Sequence, residues 1–231
     1  MNIFCFPYAG GSVYSFKKFE PFVPEGISWI PLEPPGRGKR AREPLVKDLY
    51  TMSADLFRQL RGQLDSPYIL YGHSMGGLLA YLVTLRIAAS DLPAPRQLFV
   101  SGCGGPSSAT QRVGRYRLPG EQFWKVLRDL GGSPDEILYD RDLQLFFEPI
   151  LRADFEAIEN YQYRHCTPFD IPITVLIGRD EFVTRNEALL WQKETRAPIE
   201  VISYPGNHFF IFEQARHIVR LMSQSINLVN V

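Results

Sequence analysis

Gly72-His73-Ser74-Met75-Gly76 is a G-x-S-x-G pentapeptide, the pattern in which a sharp turn lifts a serine hydroxyl off the end of a strand for nucleophilic attack. Its surroundings suit that use. The β-branched and aromatic run Tyr68–Tyr71 precedes it, and a Leu- and Ala-rich stretch of helical character follows from Met75 to Ala89. A side chain at either flanking position would clash in so tight a bend, which accounts for Gly72, Gly76 and the adjoining Gly77. A neutral serine is a weak nucleophile and needs a base, and the base needs an acid to orient it. In this setting the chain order is serine, acid, histidine. His208, in Gly206-Asn207-His208-Phe209-Phe210 just past the strand-like run Ile199–Ser203, is the candidate base. The acid is expected after the preceding run Ile173–Ile177, where Gly178-Arg179-Asp180-Glu181 follows. Asp180 is the preferred acid, and Glu181 takes the role if the loop register differs by one. His73 sits inside the turn and points elsewhere, while His165 and His217 fall in helical patterns, so structural or surface roles are expected of all three.

Acyl transfer also requires donors aimed at the developing oxyanion. The backbone N–H of Met75, directly after the nucleophile, is one expected donor. The other is expected from the loop after the first strand, Pro7-Tyr8-Ala9-Gly10-Gly11-Ser12, with Ala9 or Tyr8 presenting the amide. Tyr8 and Phe209, beside the proposed oxyanion loop and base, are read as substrate contacts. A phosphate-binding reading of Gly10-Gly11-Ser12 fails because both G-x-G-x-x-G and the Walker lysine pattern are missing. Arg37-Gly38-Lys39-Arg40-Ala41-Arg42 reads as a solvated loop or, more sharply, as a basic rim for an acidic partner or a phosphate arm. Asp154, within Leu151-Arg152-Ala153-Asp154-Phe155, is a further carboxylate for which a structural role is expected.

The elements that must position these groups follow from the apolar pattern. Ile3–Phe6, Ser28–Leu32, Tyr68–Tyr71, Leu98–Ser101, Ile173–Ile177 and Ile199–Ser203 read as short buried strands between Gly/Pro breaks. Between them Leu49, Met52, Leu56 and Leu60 recur about a helical turn apart, and Ile218, Val219 and Met222 repeat the signal near the end. Strand–helix alternation predicts an α/β fold with a mostly parallel central sheet flanked by helices. The stretch from about 104 to 167 breaks the alternation and is expected to be a helical insertion. Within it Phe123, Val126, Leu127 and Leu130 share one helical face, stopped by Gly131-Gly132. Leu143, Phe146, Phe147, Ile150 and Leu151 form a second apolar set that Pro149 should kink or restart. The insertion reads either as a helical layer on the core or as a lid over an apolar substrate site.

The 231 residues, 45% hydrophobic and 22% charged, suit a single soluble domain spanning 1–231. Twenty-five basic residues balance twenty-five acidic ones, so a general nucleic-acid binder is not expected. Cys5, Cys103 and Cys166 form neither a paired disulfide framework nor a zinc spacing. No metal is expected, and the thiols fit a reducing, cytoplasmic setting. The N-terminal residues lack a signal-peptide pattern and no apolar run is long enough to span a bilayer, so neither export nor membrane association is expected.

These motifs together resemble the stand-alone type II thioesterases that work beside non-ribosomal peptide synthetases and polyketide synthases, a family of the α/β-hydrolase fold. The resemblance runs nearly end to end and rests on Phe6-Pro7-Tyr8-Ala9-Gly10-Gly11, Pro35-Gly36-Arg37-Gly38 with Arg40, Gly72-His73-Ser74-Met75-Gly76-Gly77, Leu151-Arg152-Ala153-Asp154-Phe155 and Gly206-Asn207-His208-Phe209-Phe210. The acid loop is short, with Asp180 two residues after Gly178, and Asn207 stands where the family more often has Gly or Asp. The resemblance implies hydrolysis of acyl or aminoacyl thioesters from the phosphopantetheine arm of carrier proteins, which clears mis-primed or stalled synthases. It implies a Ser74–His208–Asp180 triad, an acyl-serine intermediate, no cofactor and a lid over the acyl pocket. A monomer that meets its carrier transiently is expected, with basic residues near Arg37–Arg42 or Arg112–Arg117 as contacts. Other readings on the same residues are a general carboxylesterase or acyl-CoA hydrolase, a product-releasing thioesterase or acyltransferase, and a non-catalytic module that docks on a synthase.

Overall fold

Tyr68–His73 (β3) is buried at all six positions and lies inside a parallel sheet of order β2-β1-β3-β4-β5-β6. The computed structural model describes residues 1–108, 114–131 and 138–227. The other strands are β1 (Asn2–Phe6), β2 (Ser28–Pro31), β4 (Gln97–Ser101), β5 (Ile173–Gly178) and β6 (Glu200–Tyr204), so each predicted strand is present to within a residue or two. Every neighbouring pair is parallel, which explains the near-continuous apolar runs: such strands are covered on both faces.

The period-two alternation decides which residue goes to which face. Phe4, Phe6, Leu70, Leu98, Val100 and Val175 join the core beneath α1 (Leu49–Leu60) and α2 (Met75–Ala88). Ile3, Cys5, Ile69, Tyr71, Phe99 and Leu176 point the other way, against the short 3₁₀ helix Lys17–Phe22 and the C-terminal helix, which we label α6 (Ala215–Asn227). Leu49, Met52, Leu56 and Leu60 of α1 are all buried, and Asp48 caps the helix by accepting the Thr51 N–H. Ile218, Val219 and Met222 seat α6 on the sheet.

Between β4 and β5 the chain forms α3 (Gly120–Leu130) and α4 (Arg141–Glu159). Phe123, Trp124 and Leu127 of α3 pack on Leu151 and Phe155 of α4 as a core of their own. Gly131, at φ 73°, ends α3, while the other half of the predicted stop, Gly132, lies outside the described residues. Two expectations are corrected here. Helix α4 runs unbroken through Pro149 rather than restarting there; its N-terminus is held by Asp140, whose side chain accepts the N–H of Asp142 and Leu143. Phe146 is 58% exposed rather than part of the buried set, because α4 turns Ile150, Leu151 and Phe155 inward instead. A short helix α5 (Arg185–Leu189), opened by a Thr184/Glu187 capping box, follows β5.

Candidate active site

The sheet reverses direction of growth at β1, which lies between β2 and β3, and ligands of open α/β sheets bind outside the strand C-termini at such a switch point. The loop after β1 and the turn after β3 meet there. In that turn Ser74 has φ 54° and ψ −119°, the one non-glycine residue with positive φ among those described. Such a backbone is strained. Its flanking glycines are required by close approach: a Cβ on Gly72 would lie 2.0 Å from the Gly76 carbonyl oxygen, and one on Gly76 would lie 2.0 Å from that of Phe6.

His208 reaches the hydroxyl, with Nε2 3.0 Å from Ser74 Oγ. Its other nitrogen, Nδ1, lies 2.7 Å from Oε2 of Glu181. A carboxylate that accepts the Nδ1 proton leaves Nε2 as the acceptor for the serine proton. The imidazole is 6% exposed and is covered by the ring of Phe182, 4.7 Å away. The acid partner in the structure is therefore Glu181 and not Asp180. Arg179 N–H donates to the Tyr204 carbonyl (2.8 Å) and Asp180 N–H to that of Gly206 (3.0 Å). These two bonds clasp the loop to the segment carrying His208 and leave the Asp180 side chain exposed. Glu181, one residue on, turns inward with its side chain wholly buried, and its Oε1 accepts the Gly178 N–H at 2.6 Å.

His73 is fully buried behind the base, its ring 4.9 Å from that of His208, with Nδ1 3.0 Å from Ser101 Oγ. Burial, reinforced by the neighbouring imidazole, pushes its pKa well below the usual histidine value, so it stays neutral at physiological pH. His217 lies in α6 and is exposed, as expected, whereas His165 lies in the loop after α4 rather than in a helix. The Cys103 thiol is pushed up to about 12, by burial first and by the charge of Glu181 second, which removes it as a competing nucleophile.

Met75 opens α2, so no carbonyl within the helix reaches its N–H. Tyr8-Ala9-Gly10-Gly11 is a tight turn closed by the Gly11 N–H on the Tyr8 carbonyl at 2.8 Å, with Gly10 at φ 78°. Ala9, Met75, Ser74 and His208 line one cavity of about 540 Å³, whose apolar walls include Leu78, Leu130, Phe155 and Ile158. Glu159 and Arg115 also line it, and they satisfy each other: the Arg115 N–H donates to both carboxylate oxygens (3.2 and 3.0 Å) and Nε lies 3.2 Å from Oε1. A larger groove of about 840 Å³, lined by Tyr68, Arg96 and Pro172, lies at the opposite, N-terminal ends of the strands, away from Ser74.

Tyr8 and Phe209 are not among the residues lining the cavity. They stack edge to face at 5.0 Å, and both rings pack on His73. They buttress the turn from behind, and Phe182 stands at the mouth in their place. Phe155, Ile158 and Glu159 of the pocket wall were not singled out in the sequence; their spacing on one face of α4 is the signal that could have found them. The basic rim is also corrected. Arg37 is 2% exposed and joined to Asp154, and Arg40 is held by Asp55 and Glu43; Lys39 and Arg42 are the cations of that run exposed without an ion pair among the described residues. Arg112 lies outside the described residues. Among those described, no cluster of His, Cys, Asp and Glu could hold a metal ion, and no helix is long and apolar enough to cross a membrane.

The family model for the thioesterase domain matches residues 1–226. The chain belongs to the thioesterase family. Its relatives include the gramicidin S biosynthesis protein GrsT of Aneurinibacillus migulanus, 33% identical over 230 residues that cover 99% of this chain and 90% of that protein. Among solved structures, ClbQ from the colibactin NRPS/PKS pathway superposes with a TM-score of 0.92 at 31% identity, covering 98% of this chain and 96% of that one. The type II thioesterase BorB from the borrelidin biosynthetic cluster superposes with a TM-score of 0.90 at 28% identity, covering 97% and 91%. The six-stranded parallel sheet and these neighbours make this thioesterase an α/β-hydrolase.

Proposed function

We propose that this chain hydrolyses acyl and aminoacyl thioesters held on the phosphopantetheine arm of carrier proteins, acting as a stand-alone type II thioesterase of non-ribosomal peptide or polyketide synthesis. The observation that carries the reading is His208 set between Ser74 Oγ and Glu181, at 3.0 and 2.7 Å, at the end of a cavity in a chain of the thioesterase family. Relatives of matching length that belong to gramicidin S, colibactin and borrelidin biosynthesis support the choice of carrier-bound substrates.

His208 Nε2 takes the Ser74 proton as Oγ attacks the thioester carbonyl. The N–H groups of Met75 and Ala9 receive the negative charge that develops on the carbonyl oxygen. Glu181 fixes the imidazole tautomer and stabilises the imidazolium, which then protonates the departing thiolate. Water, deprotonated by His208, attacks the acyl-serine; the imidazolium returns that proton to Ser74 Oγ as the acyl C–O bond breaks, and the carboxylic acid leaves. These residues and water account for every proton and electron pair. The helices α3 and α4 act as the lid and shape the acyl pocket.

The test is intact-protein mass spectrometry of carrier proteins loaded with acetyl, longer acyl or aminoacyl groups, with wild type beside Ser74→Ala. Unloading by wild type that outpaces cleavage of the matched acyl-CoA and oxoester supports the reading, and the preferred load points to the pathway. Carriers that stay loaded while simple esters are cleaved assign the chain to general ester hydrolysis instead.

A further inference from the structure

Arg37 and Asp154, 117 residues apart in the sequence, form a bidentate pair: Nη1 donates to Oδ2 at 2.5 Å and Nη2 to Oδ1 at 2.7 Å. The side chains are 2% and 0% exposed. Each partner also holds the turn after β1. Asp154 Oδ2 accepts the Gly10 N–H at 2.7 Å, and Arg37 Nη1 approaches the Gly11 carbonyl at 3.4 Å. One turn earlier on α4, Leu151 packs on the same glycine so closely that a Cβ there would lie 2.6 Å from its Cδ2. Glu33 braces the same region from the other side, its Oε1 accepting the Val13 N–H and its Oε2 the Lys39 N–H, both at 3.0 Å.

Stability alone does not explain a pair of this kind. Removing two charges from water costs more than their attraction commonly returns, and here the Arg37 Nε is buried with no partner among the described residues. The pair does fix one peptide plane. The Gly10 N–H belongs to the Ala9–Gly10 peptide, so an acceptor held rigidly at that point sets the orientation of Ala9, whose own N–H has no partner among the described residues.

We propose that Arg37 and Asp154 are positioning residues for the oxyanion site, joining the Ala9 amide to helix α4 so that the amide is aligned only when α4 is docked. The proposal rests on the hydrolase reading of Ser74 and Ala9 given above. Through this link, the helix that walls the acyl pocket also aims the donor that stabilises the transition state.

The test uses the full chain and a small soluble acyl thioester, which removes carrier docking from the readout. Asp154→Asn weakens the acceptor of the Gly10 N–H while preserving shape; because it strands the Arg37 charge, it is paired with the doubly neutral Arg37→Met/Asp154→Leu. Replacing a buried ion pair with apolar residues of similar volume commonly preserves stability. For the double variant, a melting temperature near that of wild type, a kcat reduced about 10²-fold and KM within about twofold of wild type are expected. Amide exchange at Gly10, followed by NMR, should accelerate in both variants. A folded double variant with wild-type kcat overturns the proposal, as does slow Gly10 exchange retained in it. A double variant that does not fold leaves Asp154→Asn to decide: a fall in kcat with KM unchanged supports positioning, and loss of melting temperature alone assigns the pair a structural role. A wild-type chain inert toward every thioester and ester overturns the functional reading first, and this one with it.

Discussion

Glu181 bridges the end of β5 to His208: its Oε2 lies 2.7 Å from Nδ1 of that histidine while its Oε1 is anchored 2.6 Å from the N–H of Gly178. Both carboxylate oxygens are therefore engaged, and the side chain has one conformation in which to serve. Glu181→Gln keeps the shape but also offers an amide N–H toward Nδ1, favouring the wrong imidazole tautomer. A fall in kcat of about 10⁴-fold is expected, as for a triad acid converted to its amide. Asp180→Asn, exposed and turned away, should leave kcat close to wild type. Steady-state kinetics of the two variants settle which carboxylate acts, and the reverse pattern would return the role to Asp180.

The strain at Ser74 makes a prediction of the opposite sign for stability. Glycine adopts φ 54° without penalty, whereas alanine does not. Ser74→Gly should abolish turnover and raise the unfolding free energy by about 1 kcal/mol, the strain relieved less the entropy glycine adds to the unfolded chain. Ser74→Ala should abolish turnover without that gain. Urea unfolding of the three proteins is the measurement, and a Ser74→Gly midpoint no higher than that of Ser74→Ala would contradict strain in the turn.

His73 predicts how stability responds to acid. Its folded pKa is pushed well below the usual value near 6.5. Below that pH the unfolded chain takes up a proton at His73 that the folded chain does not, so stability falls as pH drops. The slope from this one group approaches about 1.4 kcal/mol per pH unit. His73→Asn, which can retain a bond to Ser101, should flatten the dependence below about pH 6.5, by a difference that approaches one proton near pH 5. Melts across that range read it directly, and equal slopes in the two proteins would show that His73 does not titrate on unfolding.

Phe155 walls the cavity and meets Phe123 edge to face at 5.7 Å. Phe155→Leu should deepen the pocket and raise the ratio of kcat/KM for longer over two-carbon acyl groups by about 10-fold, the scale of one or two methylenes in an apolar site. Competition between loaded substrates, quantified by mass spectrometry, gives the ratio. An unchanged ratio in a folded variant would place the acyl chain elsewhere.

Strand positions, the serine turn and the histidine loop were legible in the sequence because each is set by local chemistry: an apolar run, a Gly pair around Ser74, a loop after the last strand. The parallel sheet followed from alternation. What the sequence did not give lay in contacts across the chain. Asp180 and Glu181 are adjacent, and only the clasp of residues 179 and 180 onto Tyr204 and Gly206 decides which turns inward. Arg37 reads as a solvated cation beside Lys39 and Arg42, and its burial depends on Asp154, far away in the chain. Tyr8 and Phe209 flank the right backbone, yet their rings pack on His73 rather than face the cavity. Pro149 does not restart the helix, which runs from Arg141 to Glu159 behind an Asp140 cap.

The histidine is carried by the loop after β6, and β6 is an edge strand, bonded among the described residues to β5 alone, exposed at Glu200 and partly exposed at its other four positions, where β3 is buried throughout. Edge elements open at a lower free energy than the centre of a sheet. Peeling β6 away would carry off His208 and unclasp residues 179 and 180, while Glu181 stayed bonded to the Gly178 N–H of β5 and the serine turn stayed folded. Inactivation on warming should then precede global melting and reverse on cooling, giving the molecule an intact but silent form whose population is governed by one strand.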